Sequence, residues 1–267
     1  MNDNVIIRVN NTNSTNNLLR NYNGEKGTLT IATADYQTNG RGQGNNSWES
    51  EEGKNILYSI LAYPNNLPAN RQFVMLEAQA LAIKEVMDNL LMPAKCYNDI
   101  SDHNDISDHN DISDHNTPIT IKWPNDIYYH DKKLSGTLTE CVIKGMRCHS
   151  CIIGTGININ QTIFRSDAPN PISIKMITGR DYDRETLLQQ LIDAFARQLD
   201  IINSEDYDCI HYRYIECLYR RQGIHKYMDG TGVISAELND VTPSGRLRLR
   251  TTQGEIREYG FKEVKYI

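Results

Sequence analysis

Two stretches of the chain carry apolar side chains every three or four residues. Phe73, Leu76, Ala80, Ile83, Met87 and Leu90 form one stripe, and Leu188, Leu191, Phe195, Leu199 and Ile202 form another. A period near 3.6 places such residues on one side of an α-helix. Helices are therefore expected over 71–91, stopped by Pro93, and over 184–202, with both stripes facing a core rather than a cofactor. Shorter alternating or apolar runs predict strands at 5–9, 27–33, 56–62, 119–123, 127–129, 132–140 and 151–157. Between the first two, Ser14-Thr15-Asn16 opens a short helix through Leu18 and Leu19, with Ser14 or Thr15 as a natural N-cap. From about Gly223 the pattern changes. Gly230-Thr231-Gly232, Pro243-Ser244-Gly245 and Gln253-Gly254 punctuate short β runs at 232–236, 246–250 and 256–259. Turns at that spacing predict a small barrel.

A chain of 267 residues can bury one large core and carry a small second domain. No apolar run approaches the ~20 residues of a membrane span. The N-terminus has neither a basic region nor a long apolar one, so no signal peptide is expected. The expectation is a cytoplasmic protein with its six cysteines reduced. The formal net charge of −6 is deceptive. Residues 98–116 are three copies of Asn-Asp-Ile-Ser-Asp-His and a closing Asn, and their six aspartates equal the whole net charge. Without this repeat the chain is neutral, so its acidity says nothing about partners. His103, His109 and His115 invite a metal reading. Six residues of extended chain span ~20 Å, too far for neighbouring histidines to share an ion. The repeat reads instead as an acidic insertion.

Chemistry concentrates in two places. In Lys122-Trp123-Pro124-Asn125-Asp126, Pro124 ends a strand because it cannot donate to a ladder and restricts Trp123 to an extended shape. Asn125-Asp126 then turns the chain, and a hairpin through His130-Asp131 leads on to Lys133-Leu134-Ser135-Gly136. Two lysines, an amide and a carboxylate are gathered in one strand-turn-strand. That set suits phosphate and an amine; it would equally suit an exposed hairpin with ordinary charges. The second place is Gly40-Arg41-Gly42-Gln43-Gly44, with Trp48 downstream. Its glycines allow an anion nest, Arg41 adds a bidentate donor, and Trp48 offers a flat face to a base. A flexible Gly/Asn loop is the plain alternative. Cys148-His149-Ser150-Cys151 is a CxxC, but it leads into a strand rather than a helix. No second CxxC completes a zinc set, so these are expected to be ordinary hairpin cysteines. Cys209, His211 and Cys217 fall in a further helix and are expected to be structural.

In order along the chain, GRGQGNNSWESEEGKNIL, KWPNDIYYHDKKLSGTLTE and IIGTGININ resemble the biotin protein ligases. The resemblance covers most of 5–160 and continues more weakly to the C-terminus. It implies an α+β fold. A mixed sheet flanked by helices, related to class II aminoacyl-tRNA synthetase cores and lipoate ligases, would occupy 1–222, interrupted by the 98–116 repeat. An SH3-like β-barrel would occupy 223–267. It also implies a two-step reaction, in which biotin and ATP give biotinyl-5′-AMP and pyrophosphate. The biotinyl group then passes to one lysine of a carboxylase's biotin carboxyl carrier domain.

Carried over residue by residue, the resemblance implies that Ser14, Thr15 and Gln37 meet the ureido ring and that Asn16 also belongs to the biotin site. Groups at Arg41, Gly42, Gln43, Lys133 and Gly136 complete the biotin site, and Leu138 with Gly154-Thr155-Gly156 walls the apolar tail. Arg41, Trp48, Lys122, Asn125 and Asn158 would hold ATP. Lys133 and Arg41 would stabilise charge at the α-phosphate, with Lys122 the weaker choice. Asp126 would assist the acceptor lysine. Mg²⁺ would neutralise the pyrophosphate, with Asn125, Asp126 and Asn158 as oxygen-bearing candidates. Two departures matter. Relatives read GRGR where this chain has Gln43, which predicts faster escape of the adenylate. The catalytic strand begins by Val5, leaving no room for an N-terminal helix-turn-helix, and there is no basic patch, so DNA binding is not expected. The alternatives are a lipoate or octanoate ligase on the same fold and a non-catalytic biotin-binding protein. The sequence leaves open whether the chain forms a homodimer.

Overall fold

The computed structural model describes residues 4–44, 46–92, 117–166 and 169–267. The NDISDH repeat and Pro93, with the expectations attached to them, lie outside the described residues. The first part of the chain runs β1 (Val5–Thr12), α1 (Thr15–Arg20), β2 (Thr30–Gln37), β3 (Ile56–Ala62), a 3-10 turn at Ala69–Arg71 and α2 (Val74–Leu91). It continues through β4 (Ile119–Lys122), β5 (Asp126–Tyr129), β6 (Lys132–Lys144), β7 (Arg147–Ile157), α3 (Ile174–Thr178), α4 (Arg184–Asn203) and α5 (Tyr207–Glu216).

These seven strands form one sheet in the order β1-β2-β3-β7-β6-β5-β4. Only β1 and β2 run parallel; the other pairs are antiparallel. This is the expected mixed sheet. Its centre reads as near-continuous apolar sequence because both faces are covered: every residue of β3 is buried. One face packs on α2 and α4 through a core that includes Ile31, Tyr58, Ile60, Met75, Ile83, Ile153 and Phe195. On the other face α1 packs through a smaller cluster of Leu19, Ala32, Leu61 and Ile152. Strand alternation therefore sends Gly154 and Gly156 of β7 to the α1 side, and Ile153 and Ile157 to the helix side.

Helix α2 is buried well beyond its predicted stripe, Glu77 and Gln79 included. It is wedged between the sheet, α4 and α5, and so has little solvent face left. Gln79 Nε2 meets its burial cost by donating to Tyr58 Oη at 2.6 Å. Ser14 is the N-cap of α1 by position, but its side chain makes no capping bond. Strands β6 and β7 are longer than predicted and form a hairpin, so the whole CxxC lies inside β7. The Trp123–Pro124 peptide bond is cis. None of the described helices is long and apolar enough to cross a membrane.

The C-terminal β unit appears as expected, with strands β8 (His225–Asp229), β9 (Gly232–Val241), β10 (Leu247–Thr251), β11 (Ile256–Tyr259) and β12 (Lys265–Tyr266). They form an antiparallel sheet in the order β11-β10-β9-β8-β12. Among the described residues no ladder joins β11 to β12, so the sheet does not close as a barrel. It sits against the first sheet. Trp123 Nε1 donates to the Gly245 carbonyl at 3.0 Å, and the Phe73 ring packs on Gly245. Tyr227, Leu238 and Leu247 belong to the same apolar cluster as the large sheet.

Candidate active site

A pocket opens on the α1 side of the large sheet, over the middle of β6 and β7. The start of α1 forms one end, where Ser14, Thr15 and Asn16 are all buried. Buried polar groups need partners, and these have them. The Thr15 amide and hydroxyl donate to Gln37 Oε1 at 2.7 and 3.2 Å. Ser59 Oγ lies 2.7 Å from Thr15 Oγ1 and donates to Asn16 Oδ1 at 2.6 Å. Asn16 Nδ2 donates to Glu140 Oε2 at 2.9 Å. The floor is glycine because nothing larger fits. A Cβ on Gly154 would stand 1.9 Å from Asn16 Oδ1, and one on Gly156 would stand 2.3 Å from Trp48 Cε2.

Glu140 organises this end. It receives Arg20 at 2.8 Å, Arg41 at 3.1 Å and Asn16 on one carboxylate. Burial pushes its carboxyl up, but the hydrogen bonds from Asn16 and Arg41 and the two guanidinium charges outweigh it. The carboxyl is held below its ordinary value, and its charge fixes Arg41 at the pocket.

The Gly40–Trp48 loop folds as a small hairpin rather than an open nest. Gly42 N–H donates to the Asn46 carbonyl at 2.7 Å and Trp48 N–H to the Gly40 carbonyl at 2.9 Å. Those two amides are not free for an anion, which corrects that part of the sequence reading. The loop does deliver Arg41, Gly42, Gln43 and Trp48 to the pocket. Trp48 Nε1 and Gln43 Oε1 are buried there without a partner within the protein. Opposite, the turn and hairpin after Pro124 supply Asn125, Asp126, Lys133 and Gly136. Lys133 Nζ is paired with Asp126 Oδ1 at 2.7 Å and stands 5.9 Å from the centre of the Trp48 ring. Asn125 Nδ2 donates to the Thr137 carbonyl at 2.5 Å, which pins the turn to β6.

Ser14, Thr15, Asn16, Gln37, Arg41, Gly42, Gln43, Trp48, Asn125, Asp126, Lys133, Gly136, Leu138, Gly154, Thr155 and Gly156 thus line one pocket. Lys122 and Asn158 do not. The Lys122 ammonium donates to Tyr128 Oη at 3.0 Å and lies over the rings of Tyr128 and Tyr266 at 4.8 and 5.0 Å. Burial holds its pKa below the ordinary value. It braces the two sheets against each other. Asn158 is buried beyond the end of β7, donating to the Ile172 carbonyl at 3.1 Å. Sequence reasoning missed Ser59, Glu140 and Phe261. Two-residue alternation along β6 puts Glu140 on the face of Gly136 and Leu138, and a lone hydroxyl in apolar β3 marks Ser59. Phe261 reaches the pocket from the loop after β11, and no local pattern announces that.

The Biotin/lipoate A/B protein ligase family profile matches residues 5–158, more than half of the chain. The chain belongs to that family. The bifunctional ligase/repressor BirA of Bacillus spizizenii is 31% identical over 196 residues, covering 71% of this chain and 51% of that protein. The chain spans about half the length of such curated relatives. The fold is that of solved biotin protein ligases. The Aquifex aeolicus enzyme in complex with biotin and ATP superposes with a TM-score of 0.72 at 23% identity, covering 98% of this chain and 99% of that one. The Leishmania major enzyme in complex with biotinyl-5-AMP gives 0.59 at 22% identity, covering 97% and 99%.

Proposed function

We propose that this chain is a biotin protein ligase: it activates biotin with ATP and transfers the biotinyl group to a lysine of a biotin carboxyl carrier domain. The observation that carries this reading is the polarity of the pocket. One end is a cluster of buried Ser14, Thr15 and Asn16 with half-buried Gln37, facing small residues of β7. The other presents Arg41, Lys133 and a tryptophan ring. A molecule with a hydrogen-bonding head, an apolar middle and a carboxylate spans those ends head to tail. Relatives whose solved complexes hold biotin, ATP or biotinyl-5-AMP share the fold.

In the first step a biotin carboxylate oxygen attacks the α-phosphorus and the bond to pyrophosphate breaks. No base is needed, because a carboxylic acid with pKa between about 4 and 5 is ionised at pH 7. Positioning and positive charge are needed, and Arg41 and Lys133 supply the charge. Each is paired with an acid, Arg41 with Glu140 and Lys133 with Asp126. Phosphate draws Lys133 away and leaves Asp126 exposed. In the second step the acceptor amine attacks the acyl carbonyl and AMP departs. Asp126, released from Lys133, receives the incoming ammonium and takes up its proton.

Magnesium fits this pocket poorly as a protein-held ion. Asp126 is the one carboxylate among the described lining residues, and it is paired with Lys133. Asn158 lies elsewhere. Mg²⁺ belongs with ATP as part of the substrate, in keeping with its habit of binding through phosphates and few carboxylates. The two domains are proposed as 1–222 and 223–267, the second contributing Phe261 to the pocket.

The decisive experiment is ATP–pyrophosphate exchange with biotin, with lipoate as the control acid, followed by transfer to a carrier domain. Exchange with biotin alone and labelling of one carrier lysine are expected. Exchange with lipoate instead moves the chain to lipoyl transfer; exchange with neither overturns the enzymatic reading.

A further inference from the structure

At the distal end of the β6–β7 hairpin, pairing register brings together what sequence spacing kept apart. Cys141 of β6 lies directly opposite Cys151 of β7. Beyond that pair the register shifts: Val142 pairs with Ser150, and Ile143 with Cys148. His149 is therefore an extra residue on β7. One inserted residue reverses the alternation of faces, so Cys148 turns to the same side as Cys151. The sulfurs of Cys148 and Cys151 are 3.3 Å apart, and all three sulfurs lie within 4.8 Å of one another. Cys148 and Cys151 are buried and Cys141 is half-buried.

We propose that Cys141, Cys148 and Cys151 form a binding site for one thiophilic metal ion, with Zn²⁺ as the reference cation. A tetrahedral zinc with bonds of ~2.3 Å sets its sulfurs about 3.8 Å apart. The Cys148–Cys151 separation of 3.3 Å is about 0.5 Å short of that spacing and every other separation is at most 4.8 Å, so a small shift of side chains brings all three into range. Soft sulfur donors select this class of ion. Binding exchanges three S–H protons for one metal ion, the protons go to solvent, and no electrons move. Three protein ligands leave a fourth position for water on the Cys141 side. A disulfide would use two of the sulfurs and strand the third beside it; a metal uses all three. The site is separate from the pocket, since the cysteines face the helix side of the sheet. It would clamp β6 to bulged β7 one residue from Glu140, the group that holds Arg20 and Arg41.

The test uses the full chain, purified with reductant, loaded with Zn²⁺ and dialysed against metal-free buffer. One equivalent should be retained. Co²⁺ in its place should give sulfur-to-metal charge-transfer absorption. Cys141→Ser and Cys148→Ser should each weaken Zn²⁺ binding by about 100-fold or more, since even outer-shell changes cost 10–100-fold. The Cys209→Ser/Cys217→Ser double variant should bind as wild type does. Because a serine variant can fail to fold, the wild-type protein carries a second readout. Zn²⁺ should protect these three thiols from alkylation, and a chelator should restore labelling. No retained metal, equal loss in the Cys209/Cys217 variant, or a disulfide closing among the three in Zn²⁺-loaded protein would each overturn the proposal.

Discussion

The Lys133 ammonium and the Asp126 carboxylate form an ion pair, Nζ to Oδ1, at 2.7 Å. They stand on neighbouring strands β6 and β5, where Asp126 pairs in register with Gly136. The absence of a side chain at Gly136 gives the pair its room, since a Cβ there would lie 3.3 Å from both Asp126 Oδ1 and Lys133 Cε. The pairing splits the two proposed chemical steps between two residues.

Lys133→Met should lower biotin-dependent ATP–pyrophosphate exchange by about 10²–10³-fold, the usual effect of removing a preorganised charge at a reacting centre. Asp126→Asn should leave exchange within a few-fold of wild type and slow transfer to the carrier by about 10²-fold or more. Rapid-quench measurement of each step separates the two. Equal losses in both steps for Asp126→Asn would mean that it only positions Lys133.

The Gly154→Ala variant tests the head of the pocket. Its methyl would fall 1.9 Å from Asn16 Oδ1, so the asparagine must move. The overpacking should cost about 1–3 kcal/mol and weaken biotin binding by at least 10-fold, while ATP binding is largely kept. Calorimetric titration with each ligand gives the answer, and unchanged biotin affinity would remove Asn16 from the site.

Gln43 lines the pocket with its Oε1 buried and unpartnered within the protein. A guanidinium there would add a donor beside the adenylate. Gln43→Arg should slow release of the intermediate by about 10-fold, roughly 1.4 kcal/mol, as read by trapping radiolabelled biotinyl-AMP on a filter. No change would mean that retention is set elsewhere.

His211 of α5 joins helix α2 to the C-terminal sheet. Its Nδ1 is 2.7 Å from Glu77 of α2 and its Nε2 is 3.4 Å from Asp240 of β9. The hydrogen bond to Glu77 raises its pKa above the ordinary value, against a smaller opposing effect of burial, with the two acid charges adding to the rise. A group whose pKa is raised on folding stabilises fully below its unfolded pKa of about 6.5 and loses that contribution as pH climbs through the folded value. The stability gap between wild type and His211→Gln should therefore be widest near pH 6 and shrink towards pH 9. Urea denaturation across that range measures it. A gap that widens with pH would reverse the assignment.

What was legible in the sequence follows from the range of the forces involved. Strand β3 was readable as an unbroken apolar run, and helices α2 and α4 by the period of the stripe they turn to the core. The pocket residues of 14–16, 40–48 and 125–136 were readable because they travel in short motifs. The width of the buried face of α2 was not, since it depends on α5 arriving on its far side. Lys122 sits in the same motif as Asp126 and pairs with it on the same face, yet edge strand β4 sets it one strand further out, over Tyr128 and Tyr266 instead of the pocket. Glu140 closes the KWPNDIYYHDKKLSGTLTE stretch, but nothing local marks it, and its role comes from three partners more than 90 residues distant. Strand β8 escaped notice because Tyr227 is its one fully buried side chain.

The bond from Trp123 to the Gly245 carbonyl, with Phe261 on the pocket wall, bears on anyone wishing to shorten this chain. The apolar cluster runs without a break from Phe195 through Tyr214 to Leu247. A fragment ending near residue 222 would expose half of that seam to water and lose one side of its own pocket. The two sheets should melt together as one cooperative unit, and any shortened form meant to keep the pocket would have to retain residues 223–267.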